Sequence, residues 1–393
     1  MNPVQNPFAP GAGSQPPELA GRDSIILDAD IAVQRILAGK NSRSQILTGL
    51  RGTGKTVLLN KIENDAESHG HITSFIESPE KGNLPSLLYP KIYQVLYKVS
   101  KVENAKRYAH KAMRALKGFA AAFKISVGDV SLAVDPEAGI ADSGNLEMDI
   151  CDLFVMVGNA AKAAGKVWTL CIDEMQYLSE AELASLIVAI HRANQKQLPI
   201  LLFGAGLPQI AALSGNAKSY AERLFSFPSV GPLNRLAAIQ AIKNPVEKEG
   251  ETISEEALEE IVKQTQGYPY FLQEWGYQAW NVADSSPIHL KDIDSASDLA
   301  LKRLDESFFR VRFDRLTPKE REYVQAMSKL GKGPYRSSEV AEQLGEDVKA
   351  LGPCRAKIIA KGMIYSPAYG DIAFTVPMFD DYINRLYMNS MKT

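Results

Sequence analysis

The sequence predicts an α/β fold built on a parallel sheet, and three observations carry that expectation. Short apolar runs alternate with helical patterns from residue 22 to about residue 230. A glycine-rich stretch, Gly49-Leu50-Arg51-Gly52-Thr53-Gly54, joins the first run to an amphipathic helix. From Leu233 the pattern turns wholly helical, and from about Arg315 it changes again.

The bulk numbers bound the answer. A chain of 393 residues has room for two or three domains, and 45% hydrophobic with 23% charged residues is ordinary core-forming composition. A net charge of −2 excludes a generic polyanion binder, so any nucleic-acid contact has to come from a local basic surface. Cys151, Cys171 and Cys354 stand far apart without a CxxC pair, which excludes a disulfide framework and a zinc site; Cys171, inside an apolar run, reads as core. The first 20 residues hold five prolines and no apolar run, and no stretch approaches the 18 apolar residues of a membrane span. A cytoplasmic protein without membrane contact is expected.

Residues 1–18, rich in proline and glycine, predict an extended or mobile segment. Residues 19–232 form the predicted core, with strands at 45–48, 72–76, 167–172, 200–204 and 225–230. After Lys55 the residues Val57, Leu58, Leu59 and Ile62 fall on one helical face, and Ser179 with Glu182 forms a capping box before the helix that follows the third strand. An insertion at about 91–140 interrupts the alternation. Its first part, 91–118, reads as a helix carrying Lys98, Lys101, Lys106, Arg107, Lys111, Arg114 and Lys117; residues 123–134 then alternate around Gly128-Asp129 as a hairpin. Residues 233–305 predict a helical lid, with Gly267 closing a helix over 255–266. In 306–393, Thr317-Pro318-Lys319-Glu320 starts a helix, two short helices follow, and 363–365 pairs with 372–376. Three helices and a hairpin is the order of a winged helix-turn-helix.

Gly49 to Thr56 satisfies G-x-x-x-x-G-K-[ST], and phosphate chemistry explains each position. The glycines Gly49, Gly52 and Gly54 permit turns that aim backbone N–H groups, those of Arg51 and Thr53 among them, at a phosphate. Lys55 offers a point charge to the β/γ oxygens and Thr56 a hydroxyl to magnesium. The helix running on through Val57 directs its positive end at the same anion. Ordinary residue frequencies produce this pattern by chance on the order of 1% of the time in such a chain. ATP with Mg2+ is the expected cofactor pair.

Farther along, Trp168 to Ile172 ends in Asp173-Glu174, the Walker B arrangement. Asp173 would hold magnesium and Glu174 would polarise the attacking water, giving a hydrolytic ATPase. Three further candidates carry plain alternatives. Arg22 borders the base or is a solvated loop residue. Arg223 reaches a γ-phosphate in a neighbouring subunit or makes a structural salt bridge. Tyr268 and Pro269, in Gly267-Tyr-Pro-Tyr270, cover the adenine or simply cap a helix.

On Gly21-Arg22-Asp23, the glycine-rich loop, Asp173-Glu174, Gly206-Leu-Pro208, Gly267-Tyr-Pro269 and the terminal winged helix, residues 19–390 resemble an AAA+-type P-loop ATPase between the origin-recognition initiators and the STAND ATPases. The resemblance implies strand order 5-1-4-3-2, a helical lid, and ATP-controlled association with DNA or protein partners, including nucleotide-dependent homo-oligomers. Two departures stand out. Phe203-Gly-Ala-Gly206 lacks an obvious sensor-1 polar residue, and Tyr270 stands where initiators place a sensor-2 arginine. A slow switch is expected rather than a motor.

Residues 301–393 hold 16 Lys/Arg against 12 Asp/Glu. Arg355, Lys357 and Lys361 lie on the presumed recognition helix, which predicts duplex DNA as partner; docking of a protein is the alternative. The basic stretch 98–117 is a solvated face or a second DNA-tracking surface.

Overall fold

The computed structural model describes residues 1–11, 13, 15–126 and 136–390. The chain divides into two compact units. The first, the core unit, comprises Arg22–Gly49 and Lys55–Val230; the second comprises Met1–Gly21, Leu50–Gly54 and Gly231–Thr393.

The core unit runs α1 (Asp23–Leu37), β1 (Ser44–Thr48), α2 (Lys55–Ser68), β2 (Ile72–Glu77), α3 (Leu84–Ser100), α4 (Glu103–Ala122), α5 (Leu146–Ala163), β3 (Trp168–Asp173), α6 (Glu180–Gln195), β4 (Ile200–Gly206), α7 (Ile210–Ala217), α8 (Ala221–Leu224) and β5 (Phe225–Ser226). The sheet order is β2-β3-β4-β1-β5 and every pairing is parallel, which is the expected 5-1-4-3-2. Central strands are buried on both faces because successive side chains point to opposite sides. Leu47, Cys171, Leu201 and Phe203 face α1 and α2, while Ile46, Leu170, Ile172 and Leu202 face α3 to α6. That double coverage explains why the strands read as continuous apolar runs rather than alternating ones.

Local chemistry sets the helix ends. Ser179 caps α6 in the predicted box, and the buried Glu182 carboxylate also accepts the Leu84 N–H at 2.6 Å, so one side chain caps two helices. The single helix expected over 91–118 is instead a helical hairpin. α3 starts at Leu84, capped by Asn83, and the chain breaks at Lys101-Val102 before α4. The hairpin expected over 123–134 lies largely outside the described residues; Phe123 is the C-cap of α4. β5 is shorter than expected, because beyond Ser226 the chain keeps only an isolated bridge, Thr48 with Ser229.

The second unit contains α9 (Arg235–Lys248), α10 (Glu255–Thr265), α11 (Pro269–Val282), α12 (Leu290–Arg303), a π-helical turn (Leu304–Phe309), α13 (Arg310–Asp314), α14 (Pro318–Lys329), β6 (Tyr335–Arg336), α15 (Ser337–Leu344), α16 (Gly352–Ala360), β7 (Ile364–Tyr365), β8 (Asp371–Phe374) and α17 (Phe379–Ser390). The helices of 233–305 and the later helices with their hairpin share one core, in which Phe309 stacks on Phe379 and Tyr382. β6, which joins β7 and β8 in an antiparallel sheet, and α17 escaped the sequence reading.

The N-terminal segment is a correction to the expected mobile tail. Phe8 is 3% exposed and lies against Gly276, Asn6 donates to the Tyr277 carbonyl at 3.0 Å, and Trp280 Nε1 donates to the Asn2 carbonyl at 2.8 Å. Proline and glycine raised the expectation of disorder; one buried aromatic and a set of paired polar groups outweigh it.

Candidate nucleotide-binding site

The phosphate-binding loop follows β1; Gly49 and Lys55 count with the core unit and residues 50–54 with the second. Gly52 and Gly54 adopt φ +81° and +92°, a region that an L side chain resists. Thr53 Oγ1 closes the turn by donating to the Leu50 carbonyl at 2.9 Å. α2 begins at Lys55, so its unpaired N-terminal amides start where the motif requires.

In the core unit, Lys55 is 8% exposed and Asp173 is 3% exposed. Asp173 lies at the C-terminal end of β3, and its Oδ2 accepts the Thr56 hydroxyl at 2.5 Å across 117 residues of sequence. The Glu174 N–H donates to the other carboxylate oxygen at 2.8 Å. Burial raises the Asp173 pKa, against the lowering effect of those two donors. A desolvated carboxylate beside a hydroxyl at a helix N-terminus fits Mg2+ held with a nucleotide phosphate: the donors are hard oxygens and one of them is a carboxylate.

Glu174 has φ 53° and ψ 38°, an unusual conformation for a residue with a Cβ, and it starts a 3₁₀ turn over Met175–Tyr177. Gln176 Nε2 donates to Glu174 Oε2, and Gln176 Oε1 accepts the Leu207 N–H at 3.1 Å. No sequence motif pointed to Gln176; its place two residues past the acidic pair was the available signal.

In the second unit, the loop apex is tied to its neighbours by three hydrogen bonds. The Tyr268 hydroxyl donates to the Arg51 carbonyl, the Tyr270 N–H donates to the Gly52 carbonyl at 3.2 Å, and the Arg51 N–H donates to the Thr375 carbonyl at 3.2 Å. Tyr268 is 2% exposed and Pro269 opens α11, so Gly267-Tyr-Pro does cap a helix, and it also touches the phosphate loop. Tyr270 stacks on Phe308 with ring centroids 4.6 Å apart, and the Arg312 guanidinium lies 3.8 Å over Phe308. Burial, with the Arg51 charge next, lowers the Arg312 pKa to about 10. Arg312 is a cation near the loop that sequence reading missed.

The remaining candidates fall as follows. Arg22 is 8% exposed at the start of α1 and burial lowers its pKa, so it is not a solvated loop residue. Arg223 is exposed on α8 and enters no ion pair among the described residues. Val57 is only half-buried, whereas Leu58, Leu59 and Ile62 face the core. On α16, Lys361 binds the buried Glu320 at 2.5 Å and the Arg315 carbonyl at 2.8 Å, and Arg355 donates to Ser337 at 2.8 Å, leaving Lys357 as the exposed cation. On α4, Lys106, Arg107 and Lys111 share an exposed face with His110 and Arg114; the first three have no ion-pair partner among the described residues. Tyr108 is exposed on the same helix with Arg107 over its ring at 5.5 Å, and on α3 the exposed Tyr97 has Lys101 over its ring at 4.7 Å.

Parallel order 5-1-4-3-2, a glycine loop ahead of α2 and an acidic pair after β3 together define an AAA+-type P-loop ATPase fold. Residues 38–207 match the family model described as an AAA domain, and residues 306–383 match a domain of unknown function (DUF8462). Among solved structures, the chain is similar to the Walker-type ATPase PABY2304 of Pyrococcus abyssi, at 15% identity and TM-score 0.58, over 93% of this chain and 96% of that one. It is also similar to the Aeropyrum pernix ORC1 protein in complex with DNA (12% identity, TM-score 0.47, 99% and 98% covered). A third similar structure is the Thermotoga maritima RuvB Holliday junction branch migration motor (15%, 0.46, 91% and 95%). No curated protein matches the sequence. Among the described residues, no helix is long and apolar enough to cross a membrane.

Proposed function

We propose that this chain is an ATP-binding, slowly hydrolysing switch that acts on duplex DNA. The observation that carries the nucleotide part is the 2.5 Å hydrogen bond from Thr56 to the buried Asp173, which joins the phosphate loop's last residue to the end of β3. Magnesium, when bound, supplies charge neutralisation on the phosphate oxygens. The chain's own residues do the rest. Loop amides from Arg51 to Gly54, with Lys55, bind the phosphates; Thr56 and Asp173 hold the metal; Glu174 orients water and takes up its proton. Tyr268 and Pro269, which adjoin the phosphate loop, are the residues assigned to the base, and the exposed Arg223 serves a neighbouring subunit in a nucleotide-dependent oligomer. Slow turnover follows from Tyr270 standing where a sensor arginine is absent.

Two features support DNA as the partner. The order α14, α15, α16 and a hairpin is that of a winged helix, and α4 carries an exposed cationic face with Tyr108 beside Arg107. The test is ATP turnover with and without duplex DNA, with assembly followed by sedimentation. Duplex binding that needs ATP and weakens with salt supports the reading; no duplex retention at 50 mM salt refutes it. A second reading, a signalling switch whose winged helix docks a protein, is favoured by the engagement of Arg355 and Lys361 inside their own domain and by the Arg51–Thr375 hydrogen bond. Turnover that responds to no duplex would favour it.

A further inference from the structure

We infer that Gln176 is a positioning residue for the Glu174 carboxylate, supplying from the turn after β3 the polar side chain that the end of β4 lacks. This rests on the hydrolytic reading of Glu174. β4 closes on Phe203-Gly204-Ala205-Gly206, with no side chain able to form a hydrogen bond. The glycines there are a space requirement. A Cβ at Gly204 would lie 2.1 Å from Met175 Sδ, and one at Gly206 would lie 3.1 Å from Gln176 Oε1. The volume beside the strand end is therefore filled from the β3 side, by Met175 and Gln176.

Gln176 uses both ends of its amide. A carboxylate only accepts and a backbone N–H only donates, so the contacts to Glu174 Oε2 and to the Leu207 N–H fix which end faces which. The amide thus spans from the backbone just past β4 to the side chain just past β3. Glu174 enters this arrangement from a left-handed backbone, which an L residue adopts only against steric resistance, and it is retained here with its side chain tethered. A group that must aim at one water molecule gains most from such fixing: a misplacement of about 1 Å costs on the order of 100-fold in rate.

The test is a double-mutant cycle with Gln176→Leu, Glu174→Gln and both together, reading single-turnover ATP hydrolysis and, separately, ATP affinity by fluorescence titration. Gln176→Leu should slow hydrolysis about tenfold or more with affinity within about twofold of the parent. In the Glu174→Gln background it should add no further loss, because its effect travels through the carboxylate. Gln176→Met, which keeps the length and the packing, should behave like Gln176→Leu and covers the case in which the leucine variant melts early. Parental turnover in the folded Gln176 variants, or an equal loss in both backgrounds, would overturn the positioning role. Unchanged turnover in Glu174→Gln alone would instead bring down the hydrolytic reading beneath it, so the two failures are told apart.

Discussion

Replacing Asp173 by asparagine separates metal binding from folding, and the structure sets the sign of each effect. The carboxylate is 3% exposed, and burial raises its pKa despite the donors from Thr56 and Glu174. A group whose folded pKa stands above its unfolded value contributes stability that is full below the unfolded carboxylate range and is lost as pH rises through the folded value. At neutral pH the ionised form is therefore the unfavourable one in the ligand-free protein. Asparagine cannot ionise, nearly preserves the shape, and lets the Thr56 hydroxyl reverse its role and accept from Nδ2. The ligand-free variant should melt at or above the parent temperature at pH 7, and its margin over the parent should shrink as pH falls into the carboxylate range. With nucleotide the order inverts. A ligand at 100 times its Kd stabilises by about 2.7 kcal/mol, or roughly 5–10 °C for a unit of about 200 residues. The variant should lose the magnesium-dependent part of that shift while retaining a smaller, magnesium-independent shift from Lys55 and the loop amides. Differential scanning fluorimetry with ATP, with and without Mg2+, reads both. A variant that melts lower without ligand yet keeps the full magnesium-dependent shift would refute the assignment.

The other expectations concern turnover, DNA and packing. Glu174→Gln should retain ATP and lower single-turnover hydrolysis by about 10²–10⁴, the usual range for a positioned base; parental turnover would discard that role. Changing Lys106, Arg107 and Lys111 together to Glu should weaken duplex binding at low salt and reduce the log–log salt slope by about 2–3, as judged by anisotropy titrations at several salt concentrations, with ATP affinity unaltered. An unaltered slope would return that face to solvent. Glu182→Ala strips the shared cap from the Leu84 and Ser179 N–H groups and should lower urea stability by about 2–3 kcal/mol; a change below about 0.5 kcal/mol would show that water replaces it freely.

Much of this molecule was legible in the chain itself. The phosphate loop, the acidic pair, the parallel core and the capped helices are local: each needs a handful of neighbouring residues whose chemistry permits few conformations. Glycines at positive φ, a lysine at the helix start, and a strand ending in carboxylates identify themselves by spacing alone. The order of the strands followed from a resemblance to known ATPases, and the register confirms it.

What only tertiary structure decided are the relations between residues far apart. Gln176 gains meaning from an N–H past β4, Tyr268 from a carbonyl 217 residues earlier, and Lys361 finds its partner in Glu320, 41 residues before it. Phe8 turns an expected tail into part of a core because Gly276, in a distant helix, leaves space for its ring. The physical reason is common to all four. A side chain's identity states which hydrogen bonds or contacts it can make, but which partner it meets depends on how the backbone folds back. Burial then makes that single pairing count, because a polar group taken out of water must keep the partner it finds.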